Sequence, residues 1–118
     1  VTYIGPVSDK ELFNWYSKVE CLVVPSLQEG LPTVILEALY FGLPVIATQL
    51  PSISEYFKDV IPLVPPRDIS KLAESIVSLF SNVSHLNNIA QRGKKLVEKK
   101  FTWREIVSRY EKLYLDLL

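Results

Sequence analysis

Two glutamates stand eight positions apart in the stretch QEGLPTVILEALYFG, residues 28–42: Glu29 beside a glycine, Glu37 inside a helical pattern. What they can do depends on the residues between them. Gly30 lets backbone approach a ligand with no side chain in the way. Pro32 fixes the entry into a helix. The amides near Gly30, Leu31, Thr33 and Val34 then form its free N-terminus, a ready site for a phosphate or diphosphate. Glu37, about one turn in, can accept two hydrogen bonds from a vicinal diol, as acidic residues do when they hold a ribose. Glu29 precedes the helix and can reach the far end of the same ligand. In one continuous helix the two carboxylates would lie about 12 Å apart along the axis. A loop followed by a helix instead lets both converge on one elongated molecule. Diol, diphosphate, sugar is the order of a nucleotide sugar. Singly, each residue has a plainer explanation: Glu37 complements the helix dipole, Glu29 is a loop residue, and Gly30 and Pro32 make a turn. It is their combination, after a buried strand, that points to a ligand.

The elements that must position these residues are legible as an alternation. Short apolar runs rich in β-branched residues occur at 2–4, 21–25, 44–48 and 60–64, each nearly continuous, as expected of parallel strands covered on both faces. Helical patterns separate them. Ser8 with Glu11 is a capping-box signature for a helix reaching Lys18. Pro32 or Thr33 opens a second, stopped by Gly42. SISEYF is a short third, and Asp68 caps a fourth over ISKLAESIVSLF. Beyond His85 there is no strand signal. LNNIAQRGKKLVEKK reads as a helix weakened by Gly93. Thr102 and Glu105 form a second capping box, launching a helix whose Ile106, Tyr110, Leu113 and Leu117 make an apolar stripe that must pack on something. The expectation is one α/β domain: an open parallel, Rossmann-like sheet of about four strands with crossover helices and C-terminal helices. Ligands bind such sheets outside the carboxyl ends of the strands. CLVVP ends where SLQEGLP, 26–32, begins, so both glutamates fall on that edge. Four strands in sequence order would place every right-handed crossover on one face. The other face is then bare unless the last helices wrap over it or a missing part of the parent protein covers it, and a bare face or edge favours self-association.

Composition excludes more than it selects. Of 118 residues, 48% are hydrophobic and 22% charged, an ordinary globular balance. Thirteen basic residues offset thirteen acidic ones, which gives no electrostatic footprint for nucleic acid. The basic cluster QRGKKLVEKK is broken by Glu98 and reads as a solvated helix face. The single Cys21 reads as a small buried hydrophobe. No apolar run is long enough to span a bilayer, and no secretory leader pattern is present. The chain opens on Val1, contains no Met and enters a strand pattern at once. The expectation is a piece of a larger protein.

The segment PSLQEGLPTVILEALYFGLPVIAT resembles the donor-site signature of retaining glycosyltransferases with the GT-B fold, in particular glycosyltransferase family 4. The matching positions are Pro25, Ser26, Glu29, Gly30, Pro32, Glu37, Ala38, Gly42, Pro44 and Val45. VTYIGPVSDKEL is similar to the family's preceding strand and nucleobase loop, and FTWREIVSRYEKLY to its closing helix. The resemblance implies the later part of the C-terminal, donor-binding domain. It implies that Glu29 contacts the transferred sugar near its reacting carbon and that Glu37 holds the ribose hydroxyls. The amides of Leu31 and its neighbours, with Thr33, would face the diphosphate, in the donor-binding turn that includes Gly30 and Pro32. Val34 would pack near the nucleoside with Val7, in the loop Gly5, Pro6 and Val7. It implies metal-independent transfer, with no cofactor besides a UDP- or GDP-linked sugar, to a saccharide or glycolipid acceptor bound by an N-terminal domain. It further implies an enzyme at the cytoplasmic side, peripheral to the membrane, in polysaccharide biosynthesis. The family's diphosphate-binding Arg and Lys would precede Val1, and neither Arg67 nor His85 replaces them. The piece alone is therefore expected to be inactive.

Rival readings make specific demands. A phosphoacceptor receiver domain needs acidic residues at its early strand ends, where this chain has Gly5, Pro25 and Thr48. A dinucleotide-binding domain needs G-x-G-x-x-G, and neither that nor a P-loop is present. A GT-B-type sugar-nucleotide epimerase or phosphorylase, or a non-catalytic nucleotide-sugar-binding module, shares the architecture and remains the alternative.

Overall fold

A proline adjoins each strand of the sheet in the computed structural model, which describes residues 1–118. Strand β1 is Leu22–Val24, β2 is Val45–Thr48 and β3 is Leu63–Val64, all parallel and in the spatial order β1-β2-β3. Leu22 lies beside Val45 and Val24 beside Ala47; Ala47 lies beside Leu63 and Thr48 beside Val64. Pro25 follows β1, Pro44 precedes β2, and Pro62 and Pro65 flank β3. A proline cannot donate to the ladder, so each strand is shorter than its apolar run. Their carbonyls still accept, Pro44 from the Leu22 amide at 2.9 Å and Pro62 from the Ala47 amide at 3.2 Å.

The fourth expected strand does not form. Residues 2–4 pair with nothing, and Val1, Tyr3 and Ile4 are exposed. An apolar, β-branched run marks a segment suited to a sheet, but a strand exists only by its ladder to a neighbour. β1 pairs only with β2, leaving its outer edge free, so the sheet has three strands rather than about four.

The helices are α1 (Asp9–Tyr16), α2 (Thr33–Tyr40), α3 (Pro51–Phe57), α4 (Ile69–Phe80), α5 (Val83–Lys100) and α6 (Trp103–Leu117). Most ends follow from sequence chemistry. Ser8 and Glu11 form both halves of the capping box at α1. Gly42, left-handed at φ +74, ends α2. There the Gly42 amide donates to Leu39 O at 3.0 Å and the Leu43 amide to Ala38 O at 2.9 Å, satisfying two terminal carbonyls. At α6 only half of the expected box is made: Glu105 N–H donates to Thr102 Oγ1, and no reciprocal bond forms.

α2 and α3 are the crossovers between the parallel strands, and both lie on one sheet face. There Ile35, Ala38, Leu39, Ile53 and Phe57 pack on Val24, Val45 and Ala47. The opposite face is not bare. Ile46 and Val64 are covered by Leu79 of α4 and Ile89 of α5. α5 also sends Val97 into the first core, so a single helix closes both. It passes beneath the ends of α2 and α3: Arg92 donates to Asp59 O, and Gly93 lies against Leu39. The expected self-association through an uncovered sheet face thus has no such face to use, and what stays open are the short edges β1 and β3. α6 has no buried residue, and Tyr110, Leu113 and Leu117 of its stripe are exposed. Beyond its first turns, near Phe101 and Ile106, that stripe packs on nothing in this chain. No helix is long and apolar enough to cross a membrane.

Candidate functional site

β1 runs out at Val24 into a loop that neighbouring elements hold in place. Thr48, at the end of β2, is buried, and its hydroxyl must find a partner. It donates to the Ser26 carbonyl at 2.6 Å. Ser52, in the first turn of α3, donates to the Glu29 carbonyl at 2.9 Å. Within the loop, Ser26 Oγ donates to Glu29 Oε1 at 2.6 Å. One carboxylate oxygen of half-buried Glu29 is thereby fixed by a neutral donor, and the other is left without a partner. The carboxylate opens on a hollow of about 240 Å³ lined by Leu27, Gln28, Leu50, Pro51 and Ser52.

The loop then turns through Gly30 into α2. Pro32 takes the cap position, buried and extended at φ −72, and has no side-chain oxygen with which to satisfy the first amides. Side chains cap α1, α4, α5 and α6 through Ser8, Asp68, Asn82 and Thr102. α2 and α3 have none, and both begin at the carboxyl edge of the sheet. Exposed Thr33 and Val34 follow at once, so the first turn of α2 presents its donors and its positive dipole end to solvent. Gly30 is unlike the other three glycines. Gly5 and Gly42 have positive φ, and Gly93 is pressed by Leu39. At Gly30 a Cβ would meet nothing within 4 Å, and the backbone is not left-handed. Nothing in the fold requires a glycine there.

Glu37 sits one turn into α2, half-buried. The hydroxyl of Tyr16, the last residue of α1, donates to its Oε2 at 3.0 Å. Burial first, then the bond to Glu37 and its negative charge, pushes the Tyr16 phenol up to about 12. No cation pairs with Glu37; the one ion pair of the chain is Lys71–Glu74. Glu37 opens on a broad hollow of about 580 Å³ with Phe13, Tyr40, Phe41, Phe101 and Trp103 on its walls. No three His, Cys, Asp or Glu side chains are grouped as metal ligands.

A sequence profile described as "Glycosyl transferases group 1" matches residues 1–82, more than half of the chain. The chain belongs to the glycosyl transferases group 1 family. The chain is 30% identical over 119 residues to an uncharacterised glycosyltransferase of Methanocaldococcus jannaschii, covering 99% of itself and 34% of that protein. It is 28% identical to the O-antigen chain mannosyltransferase B of Escherichia coli, covering 92% of itself and 28% of the relative. Among solved structures, sucrose-phosphate synthase from Thermosynechococcus elongatus superposes with a TM-score of 0.87 at 29% identity, over 99% of this chain and 30% of that one. The C-terminal domain of a group 1 family glycosyl transferase from Francisella tularensis superposes with a TM-score of 0.75 at 28% identity, over 87% of this chain and 53% of that one. The chain spans about a third of the length of the curated relatives it matches.

In this group 1 glycosyl transferase domain the expected residues are not all gathered together. Glu29 and Glu37 open on different hollows, with Gly30, Leu31, Pro32, Thr33 and Val34 between them. A ligand touching both carboxylates has to lie along the start of α2. Gly5, Pro6 and Val7, at the opposite end of α1 from Tyr16, line neither hollow. Arg67 has the one left-handed non-glycine backbone, φ +65, and lines a smaller hollow with Pro25, Leu27 and Thr48. Sequence reasoning missed Tyr16, Thr48 and Ser52, whose contacts with the glutamate-bearing segment span 21 to 23 positions. The available signal was weak: a tyrosine closing a capped helix, and a threonine ending the most apolar strand, are polar groups that need a buried partner.

Proposed function

We propose that this chain is the donor-binding part of a retaining, family 4 glycosyltransferase. The enzyme takes a UDP- or GDP-linked sugar and passes it to a saccharide or lipid-linked acceptor held elsewhere in the protein. The observation that carries the reading is Gly30, a glycine the fold does not need, set between a pinned Glu29 and an uncapped α2. A bare backbone beside open helix amides suits close approach by a diphosphate. In this reading the diphosphate lies on the amides of Leu31, Thr33 and Val34. Glu37 accepts from the ribose diol, and Val34 and Val7 flank the nucleoside. Glu29 stands by the anomeric carbon, where a carboxylate favours the positive charge that develops as the bond to diphosphate breaks. In this reading the cation that neutralises the leaving diphosphate comes from outside this chain and the chain alone transfers nothing; that no Lys or Arg lines either hollow supports it. The reaction needs no metal and takes place at the cytoplasmic side, peripheral to the membrane. The relatives are named as glycosyltransferases, which favours transfer over epimerisation, phosphorolysis or binding alone.

The test is a titration of the isotope-labelled chain with UDP and with GDP, following backbone amides by NMR. A dissociation constant in the millimolar range, worth about 4 kcal/mol, is expected without the diphosphate cations. Shifts should concentrate at 29–37 and reach 5–7 for the preferred base. Glu37→Gln and Gly30→Ala should weaken binding, the latter with no loss of thermal stability. Silence at 29–37 with saturating nucleotide, in this chain and in the whole protein, overturns the reading.

A further inference from the structure

The Tyr16–Glu37 bond is the only side-chain-to-side-chain hydrogen bond between residues more than three positions apart. It ties the last residue of α1 to the carboxylate on α2. The tyrosine is a buried residue, 5% exposed, and its ring packs 5.7 Å from the Phe41 ring and 6.5 Å from the Phe13 ring. Those two rings stack on each other at 5.5 Å. The donor is neutral and carries one proton. An arginine in its place would engage both oxygens in a fork and cancel the charge. A phenol holds Oε2 alone, and leaves Oε1 with its lone pairs and the carboxylate with its charge. With its ionisation pushed up to about 12, the phenol keeps its proton through the neutral range, so the direction of donation is constant. Every buried polar side-chain atom in the chain has a partner, so the unpartnered Oε1 is open to solvent.

We infer that Tyr16 is the positioning residue of the nucleotide site: its hydroxyl fixes one oxygen of Glu37 so that the other is presented, charged and unpaired, to a ribose diol. The inference rests on the donor-binding reading above. It differs from a structural role for Tyr16 in what it predicts. A phenol that merely satisfies itself against Glu37 affects stability alone. A positioning phenol affects discrimination between a ribose and a 2′-deoxyribose.

The experiment measures UDP and 2′-deoxy-UDP, and GDP and 2′-deoxy-GDP, by amide titration on the whole chain and on three variants. The native chain should prefer the ribonucleotide by about three- to tenfold, the range of one net hydrogen bond. Glu37→Gln and Tyr16→Phe should each reduce that ratio to near unity, with affinity for the 2′-deoxy nucleotide unchanged. Tyr40→Phe, on an exposed neighbour in the same hollow, should keep the ratio. Tyr16→Phe retains the ring and its packing, and its amide spectrum reports whether α1 and α2 hold together. If Glu37→Gln loses the ratio and Tyr16→Phe retains it, the role of Tyr16 is overturned and the donor site stands. If the native chain shows no preference for ribose, the placement of the diol on Glu37 fails, and the inference with it.

Discussion

Replacing Gly93 by alanine sets two effects against each other, and the structure decides which wins. Gly93 lies inside the eighteen-residue α5, where alanine is favoured over glycine by about 1 kcal/mol from backbone entropy alone. On an isolated helix the substitution would therefore stabilise. Here the added Cβ would sit 2.4 Å from Leu39 Cδ2, 3.3 Å from its Cγ and 3.5 Å from its Cβ. Ordinary carbon contacts begin near 3.5 Å, so Leu39 would have to retreat by about 1 Å. It has nowhere to go: it is fully buried in the core shared by α2 and the sheet. Forcing a methyl into such packing costs about 1–3 kcal/mol, which exceeds the helix gain. The expected result is a net loss of about 1 kcal/mol, seen as a fall of roughly 3–5 °C in thermal midpoint for a domain of this size. A double-mutant cycle with Leu39→Ala isolates the clash. Leu39→Ala alone should cost about 2–5 kcal/mol, and adding Gly93→Ala to it should now stabilise, giving a coupling above about 1 kcal/mol. A rise in midpoint for Gly93→Ala in the native background would refute the packing argument.

Two further expectations concern titration. Tyr16 ionises at about 12 in the folded chain against an ordinary 10.0, so folding favours its neutral form. That contribution is present below pH 10 and is lost as pH rises towards 12. Urea midpoints across that window should fall more steeply for the native chain than for Tyr16→Phe; parallel profiles would mean that folding does not raise the Tyr16 phenol. Cys21 is pushed up to about 11 from 9.0, chiefly by burial, with a backbone bond to Ile46 opposing. At a fixed pH its thiolate fraction is lower by about a hundredfold, so a disulfide reagent should label the folded chain far more slowly than the urea-unfolded one. Equal rates would place that thiol in water.

What the sequence made legible was local. Ser8 with Glu11, Pro32, Gly42 and Asp68 each act through neighbours within a few positions, and the helix ends they mark are found close to where they indicate. The Glu29–Pro32 turn falls on the carboxyl edge of the sheet because strand, turn and helix follow one another in the chain. The rest depended on distant partners. Residues 2–4 carry a strand composition and lack a ladder, since pairing is a property of two segments. Gly93, read as a weakness in a helix, is a packing contact with a residue 54 positions away. The stripe of α6 is periodic, yet periodicity says which face is apolar and not what lies against it. Tyr16 and Glu37 meet across 21 positions with β1 between them, which no spacing rule encodes.

α5 closes both sides of the sheet, and it is also the second-last helix to be synthesised. β2 is complete at Thr48, whereas the residues that seal its two faces, Ile89 and Val97, come some 40 to 50 positions later. At about 5–20 residues per second this is an interval of roughly 2–10 s in which the most apolar strand of the nascent chain has no finished shelter. The profile match ends at residue 82, one residue before α5 begins. A ribosome that stalled there would hold a chain with the matched stretch complete and its interior open.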